Sequence, residues 1–157
     1  MRVLFVLIAA IAGPALAQTC PTPPGWAKPT RHIAARSPEM RFALPPNTAH
    51  RLELRGSRDV RLAIAKSRGR NARGSAGLAA IEVPKAGKLD VFLSNATYVD
   101  LVRDGRALRS ISHADFKACP NLRKSVSFDV VPGRYIMQLT DAPARSVTIS
   151  TSLVTLQ

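Results

Sequence analysis

The sequence has few of the residues that build catalytic or metal-binding sites. Its 157 residues include only three histidines and two cysteines. Neither cysteine belongs to a Cys-x-x-Cys pair, so the spacing typical of a zinc site is absent. The Gly-x-Ser-x-Gly motif of a serine hydrolase is absent as well. The most recognisable zinc proteins and hydrolases are therefore disfavoured.

Acidic and aromatic residues are also scarce. There are 10 acidic residues against 23 basic ones, a formal net charge of +13, and aromatic residues make up 5% of the chain. This charge favours anionic partners, such as an anionic glycan, lipopolysaccharide or an acidic protein. We do not expect nucleic acid as a partner, because no aromatic residues alternate with the basic ones to stack on bases.

Long apolar runs are missing after the first 17 residues. Residues 1–17 combine the basic start Met1-Arg2, the apolar run 3–11 and the motif Ala15-Leu16-Ala17, which is typical of an export signal. We expect cleavage after Ala17 and a periplasmic or secreted protein. No later run is long enough for a membrane span. The remaining length suits one domain.

Most of the 12 prolines lie in residues 18–48. Proline fixes φ and removes a backbone donor, so this segment is predicted to be an extended arm lying over the body of the domain. Trp26, the only tryptophan, is expected to cover one end of the core, and the alternative is an exposed stacking platform.

Residues 49–157 are predicted to form the body, a β-sandwich domain. Apolar residues alternate with polar ones in short runs separated by turn residues, and Asp104-Gly105 is typical of a tight hairpin. Two similar segments, 81–94 and 128–140, are interpreted as equivalent hairpins whose strands cross between sheets. The fold class is thus all-β: one antiparallel, jelly-roll-like sandwich of eight or nine strands with a proline-rich N-terminal arm. The predicted strands cover residues 50–54, 60–64, 78–83, 89–94, 98–102, 107–111, 125–131, 135–140 and 146–154.

Both cysteines, Cys20 and Cys119, lie in the part expected to be exported. In an oxidising compartment a disulfide is the default, and this one would attach the arm to the body. Two free thiols or a pair of metal ligands are the alternatives.

Segment 66–73 is the most basic part of the chain. It has no acidic residue and no apolar residue beyond alanine, so it is predicted to be a mobile cationic loop. Two further cations follow Cys119. We expect these side chains to bind an anionic partner, and the alternative is a solvated surface loop. The candidate binding residues are Lys66, Arg68, Arg70, Arg73, Arg123 and Lys124.

The second half of the chain resembles a bacterial pre-peptidase C-terminal domain. The resemblance covers residues 80–154 and depends on the runs 98–107, 132–139 and 146–150, which include the motif Pro132-Gly133-Arg134-Tyr135. It implies a secreted, jelly-roll-like sandwich that binds surfaces or polysaccharides. That family has a local cysteine pair before the Pro-Gly-x-Tyr strand, whereas this chain has only Cys119 there, so the partner of Cys119 must be Cys20.

Most of the chain is also similar to a group of small exported proteobacterial proteins. The shared motifs are Cys20-Pro21-Thr22-Pro23-Pro24 with Trp26, Pro84-Lys85-Ala86-Gly87, the run 100–105, and the Arg123-Lys124 pair after a single loop cysteine. Members of this group often bear the name homogentisate 1,2-dioxygenase, which implies a non-haem iron enzyme.

An iron site of that type needs two histidines and a carboxylate around one metal ion. His113 and Asp115 form a His-x-Asp motif, but no histidine follows His113. His32 lies in the proline-rich arm, and His50 alternates with leucines at an expected inward or edge position. His113 and Asp115 are therefore weak metal candidates.

Our leading prediction is a non-catalytic binding or accessory protein of the bacterial envelope, without a cofactor, for anionic glycans or other polyanions. The alternatives are a metal-dependent enzyme that uses His113 and Asp115, and a structural partner in a secreted assembly.

Overall fold

The computed structural model describes residues 19–65 and 74–155. The expected signal peptide, residues 1–17, lies outside this part of the chain. The described residues form twelve strands and one short 3-10 helix, Ser57–Asp59. The strands are β1 Thr30–Ile33, β2 Ala43–Leu44, β3 Ala49–Glu53, β4 Arg55–Gly56, β5 Ser75–Val83, β6 Gly87–Leu93, β7 Tyr98–Arg103, β8 Arg106–Ala107, β9 Ser112–Asp115, β10 Lys124–Val130, β11 Gly133–Ala142 and β12 Ser146–Thr155.

The strands form two sheets that pack face to face, which confirms the predicted all-β sandwich. The first sheet has the order β1-β3-β12-β6-β10-β9, and the second has the order β2-β5-β11-β7-β8 with β4 paired to β5. Both sheets are mixed, because β1 runs parallel to β3 and β2 runs parallel to β5. The sequence does not predict these two parallel pairings, and it predicts fewer strands.

Eight of the strands follow a jelly-roll topology. Their pairings are nested along the chain: β7 pairs with β8, β6 with β10, β5 with β11 and β3 with β12. This is a long antiparallel hairpin rolled into two sheets. β7 and β8 are joined by the predicted tight turn, in which Asp104 and Gly105 have φ values of 49° and 71°.

The core lies between the two inner faces and is almost entirely aliphatic. It follows from strict alternation, since every second residue of a strand points inward. The first sheet contributes Leu52, Leu89, Val91, Leu93, Phe128, Val130, Val147 and Ile149, and the second contributes Ala79, Ile81, Val83, Val99, Leu101, Tyr135, Met137 and Leu139.

The two similar segments are equivalent, but they are crossings rather than hairpins. β5 and β6 lie in different sheets, as do β10 and β11, and the first strand of each segment pairs with the second strand of the other, β5 with β11 and β10 with β6. The second crossing is held by Tyr135, whose buried hydroxyl donates to the carbonyl of Val131 at 2.8 Å and accepts from Val131 N at 3.1 Å. Arg103 donates to the same hydroxyl at 3.1 Å.

Two predicted strands are wrong. Residues 60–64 form no strand, and Val60 and Leu62 pack instead on the outer face of the second sheet, against Leu78. Residues 107–111 contribute only Ala107 to a strand, because the chain crosses there from β8 in the second sheet to β9 in the first.

The arm is attached at several points. Cys20 and Cys119 form the predicted disulfide, with 5.6 Å between their Cα atoms. Ser150 Oγ donates to the carbonyl of Pro24 at 2.6 Å, and Ala35 bridges to Leu78. Within residues 19–65 and 74–155, the chain forms no helix with the length and apolar composition needed to cross a bilayer.

Candidate functional site

The outer face of the first sheet carries a row of basic and hydroxyl side chains. Leu52 and Val147 point into the core, so their neighbours in β3 and β12 point outward. Arg31 on β1 is in register with Arg51 on β3, which is in register with Thr148 on β12. Two arginines therefore lie side by side on adjacent strands.

Such a placement is unfavourable unless an anion compensates it. Like charges on neighbouring strands of a sheet destabilise the pairing. Arg31 and Arg51 are both exposed, so solvent screens part of this repulsion. A bound anion that touches both guanidinium groups would remove the remainder.

Four arginines line one groove with a volume of about 380 Å³. They come from β1, β3, β4 and the turn before β12, and among the described residues only Glu53 contributes a carboxylate to the lining. No ion pair joins any of the four to another described residue. Arg55 Nε is buried without a hydrogen-bond partner in the described part. The arginine groove consists of Arg31, Arg51, Arg55 and Arg145 with Glu53, Leu54 and Ser146.

A second groove, with a volume of about 550 Å³, continues the first. The two share Arg51 and Ser146, whose side chains are joined by a 3.3 Å hydrogen bond from Nη2 to Oγ. Trp26 lines the far part of this groove and is half-buried. The tryptophan groove consists of Trp26, Ala27, Arg51, Ser94, Asn95, Asn121, Ser146 and Thr148.

The structure describes only two of the six predicted binding cations, Arg123 and Lys124. Lys66, Arg68, Arg70 and Arg73 lie outside the described residues, so their role stays a prediction. Arg123 and Lys124 precede and begin β10, and neither lines the two grooves.

Arg123 and Lys124 already have partners within the chain. Arg123 forms an ion pair with Asp115, with 2.8 Å between Nη1 and Oδ1. Lys124 Nζ lies 5.8 Å from the centre of the Tyr98 ring. Burial, the largest cause, lowers the pKa of Lys124, although the Asp115 carboxylate opposes this shift.

The residues of the metal hypothesis do not fit an iron site. His113 and Asp115 lie on β9, an exposed edge strand, whereas His32 and His50 lie on β1 and β3 at the opposite side of the same sheet. Four strand spacings separate β3 from β9, which is roughly 19 Å and far beyond one coordination sphere. Among residues 19–65 and 74–155, no three His, Cys, Asp or Glu side chains cluster as metal ligands.

The groove residues are difficult to find in the sequence because they come from separate elements. Arg51 alone carries a local signal, since it occupies an outward position in the alternating run 50–54. Arg55 follows four positions later, just beyond that run, whereas Arg31 and Arg145 join Arg51 through pairings between distant parts of the chain.

The functional conclusion below is drawn from the two grooves. No family model, curated protein or solved structure matches this chain.

Proposed function

We propose that this chain is exported to the bacterial envelope and acts there as a non-catalytic binding or accessory protein for anionic glycans or other polyanions. The observation that carries the proposal is the arginine groove: four arginines line one concave surface, and Glu53 is the one acidic residue among its described lining residues. The disulfide and the signal-like residues 1–17 support export.

Guanidinium groups suit this function for a geometric reason. Each presents several N–H donors in a planar fork that matches carboxylate, sulfate and phosphate oxygens. Arg31 and Arg51 are adjacent in the sheet, so one anionic group can contact both. A rigid sheet holds these side chains close to their bound positions, which reduces the entropy lost on binding.

The proposal is tested by removing two groove cations and comparing the result with an equal loss of charge elsewhere. We expect the double variant Arg51→Gln/Arg145→Gln to bind heparin and inorganic polyphosphate at least about tenfold more weakly at low salt, because charged hydrogen bonds are lost. Both side chains are exposed, so the fold should tolerate the changes. Isothermal titration calorimetry at several salt concentrations measures the affinity and its salt dependence.

The control variant is Arg106→Gln/Arg109→Gln. It has the same net charge as Arg51→Gln/Arg145→Gln. Arg106 lies on β8 and Arg109 in the crossing that follows it, and both are exposed. Neither residue lines the two grooves. Its affinity for both probes should stay within about twofold of the unmodified protein, since only long-range attraction is reduced. Equal losses in the two double variants would show that binding follows net charge and would overturn the proposal.

A further inference from the structure

Trp26 is fixed at the surface by a short, well-defined turn. Trp26 N donates to the carbonyl of Pro23 at 3.2 Å, and Lys28 N donates to the carbonyl of Gly25 at 3.1 Å. Gly25 has a φ of 69°, which a residue with a side chain adopts rarely. The turn is anchored to β12 by the bond from Ser150 to Pro24. The indole is therefore a positioned surface group.

The disulfide ties the two sides of the tryptophan groove together. Cys20 precedes Trp26 by six positions on the arm, and Cys119 precedes Asn121 by two positions in the loop before β10. Trp26 and Asn121 both line this groove. The covalent link therefore keeps the segment that carries Trp26 close to the loop that carries Asn121, which favours a preformed binding site.

The wall between Trp26 and the arginines is made of neutral polar groups. Ser94 and Thr148 lie side by side, with Thr148 N donating to Ser94 Oγ at 2.9 Å. Asn95 Nδ2 donates to the carbonyl of Ser146 at 3.1 Å. Asn121 is exposed and has a φ of 61°. Hydroxyl and amide side chains both donate and accept hydrogen bonds, so they match ligand hydroxyl groups.

The order of these groups along β3 and β12 indicates which kind of ligand fits them. The turn with Trp26 lies over the row Ala49 and Ser150, the next row holds Arg51 and Thr148, and Glu53 and Ser146 follow before Arg55. Residues 49–53 of β3 span roughly 13 Å, which is long enough for more than one linked sugar unit. Aromatic, hydroxyl and cationic groups therefore follow one another along a single path.

We propose that the ligand is an anionic oligosaccharide, with the apolar face of one sugar ring on Trp26 and its acidic groups on the arginine groove. This inference rests on the proposed function and names its ligand class. An inorganic polyanion would use only the arginines. A single-stranded nucleic acid would need further aromatic platforms for successive bases, and among the described residues that line either groove Trp26 is the only aromatic one.

The single tryptophan allows a direct test. Trp26 is the only source of indole fluorescence, so its emission reports occupancy of this groove. We expect a heparin-derived oligosaccharide to shift the emission of Trp26. Inorganic polyphosphate should bind as well, but with a smaller shift of this emission. Trp26→Ala should weaken oligosaccharide binding at least about tenfold and leave polyphosphate binding within about twofold, because only the sugar contacts the indole. Trp26→Phe, which keeps an aromatic face, should recover most of the affinity.

The outcomes separate this inference from the proposed function. If Trp26→Ala leaves oligosaccharide affinity unchanged while Arg51→Gln/Arg145→Gln lowers it, the ligand class is wrong and the proposed function stands. If Trp26→Ala weakens both probes equally, the indole shapes the arginine groove and the inference is overturned. Tighter, Trp26-dependent binding of single-stranded oligothymidylate would replace the oligosaccharide by a nucleic acid. Thermal unfolding of each variant shows whether it has folded.

Discussion

At the scale of single residues, His50 is a buried ionisable group whose surroundings disfavour its charged form. Its side chain is 5% exposed, and Nε2 lies 2.7 Å from Thr48 Oγ1. Its Nδ1 is buried with no hydrogen-bond partner among the described residues, and the His32 ring lies 5.0 Å away. Burial, and to a smaller extent the charge of His32, lowers the pKa of His50 below the ordinary value of 6.5. The neutral imidazole is therefore the form that packs in the fold.

Because of this shift, we expect the free energy of unfolding to fall as the pH is lowered below about 6.5. The unfolded chain binds a proton at His50 near that pH, whereas the folded chain binds it only at lower pH. The stabilisation is thus complete above 6.5 and is lost as the pH falls towards the folded-state pKa. Urea unfolding between pH 8 and pH 5 measures this dependence, and His50→Gln should make it flatter. An unchanged slope in His50→Gln would assign the dependence to other groups.

At the scale of elements, residues 60–64 behave differently from what their alternation predicts. They cross the outer face of the second sheet as a strap rather than joining it as a strand. The fully buried Gln138 on β11 explains this, since its Oε1 accepts from Ala63 N at 2.9 Å and from Ile64 N at 3.1 Å. The Gln138 side chain thus accepts the backbone hydrogen bonds that a neighbouring strand would otherwise accept. Alternation of apolar and polar residues shows that one face of a segment is apolar. It does not show which groups form hydrogen bonds with the backbone of that segment.

Replacing this acceptor should release the strap. We expect Gln138→Met, which keeps the length of the side chain and removes the acceptor, to lower the free energy of unfolding by about 1–3 kcal/mol, because two part-buried N–H groups lose their bonds. Hydrogen exchange at Ala63 and Ile64 should become faster, whereas exchange in β12 should change only with global stability. Unchanged protection at Ala63 and Ile64 would show that packing of Val60 and Leu62 holds the strap without Gln138.

Local signals predict the central strands well and the arm poorly. Buried and less buried positions alternate along the whole of β6, and in β10 Val126, Phe128 and Val130 alternate with polar residues, because one face of each strand packs on the core. β1 and β2 are short, lie among prolines, and exist only through parallel pairing with β3 and β5. Parallel partners are set by long-range packing, which no local pattern records.

At the scale of the whole molecule, the arm and the sandwich together build the candidate site. Trp26 and Arg31 belong to the arm, whereas Arg51, Arg145 and Asn121 belong to the sandwich. Of these parts, the sequence predicts the disulfide. For Trp26 it allows two interpretations, a cover over one end of the core or an exposed stacking platform. It does not predict that the arginines converge, because their approach depends on how the arm docks on the first sheet.

The coupling between arm and site leads to a prediction about the disulfide. Cys20 and Cys119 are 99 positions apart, and closing a loop of this size stabilises a fold by up to about 4–5 kcal/mol in the chain-entropy model. We expect Cys20→Ala/Cys119→Ala to lower the free energy of unfolding by about 2–5 kcal/mol. Urea unfolding of the variant and of the oxidised protein measures the difference.

The same variant should affect the two ligand classes differently. Without the link, the turn with Trp26 is held to the sheet only by contacts such as the bond from Ser150 to Pro24, so its position becomes less defined. Heparin-derived oligosaccharide binding should fall towards that of Trp26→Ala, whereas polyphosphate binding should persist, because β1 still pairs with β3 and brings Arg31 beside Arg51. Calorimetry with both probes, below the unfolding temperature, tests this. Full oligosaccharide affinity in the cysteine-free protein would show that the arm docks without its covalent link.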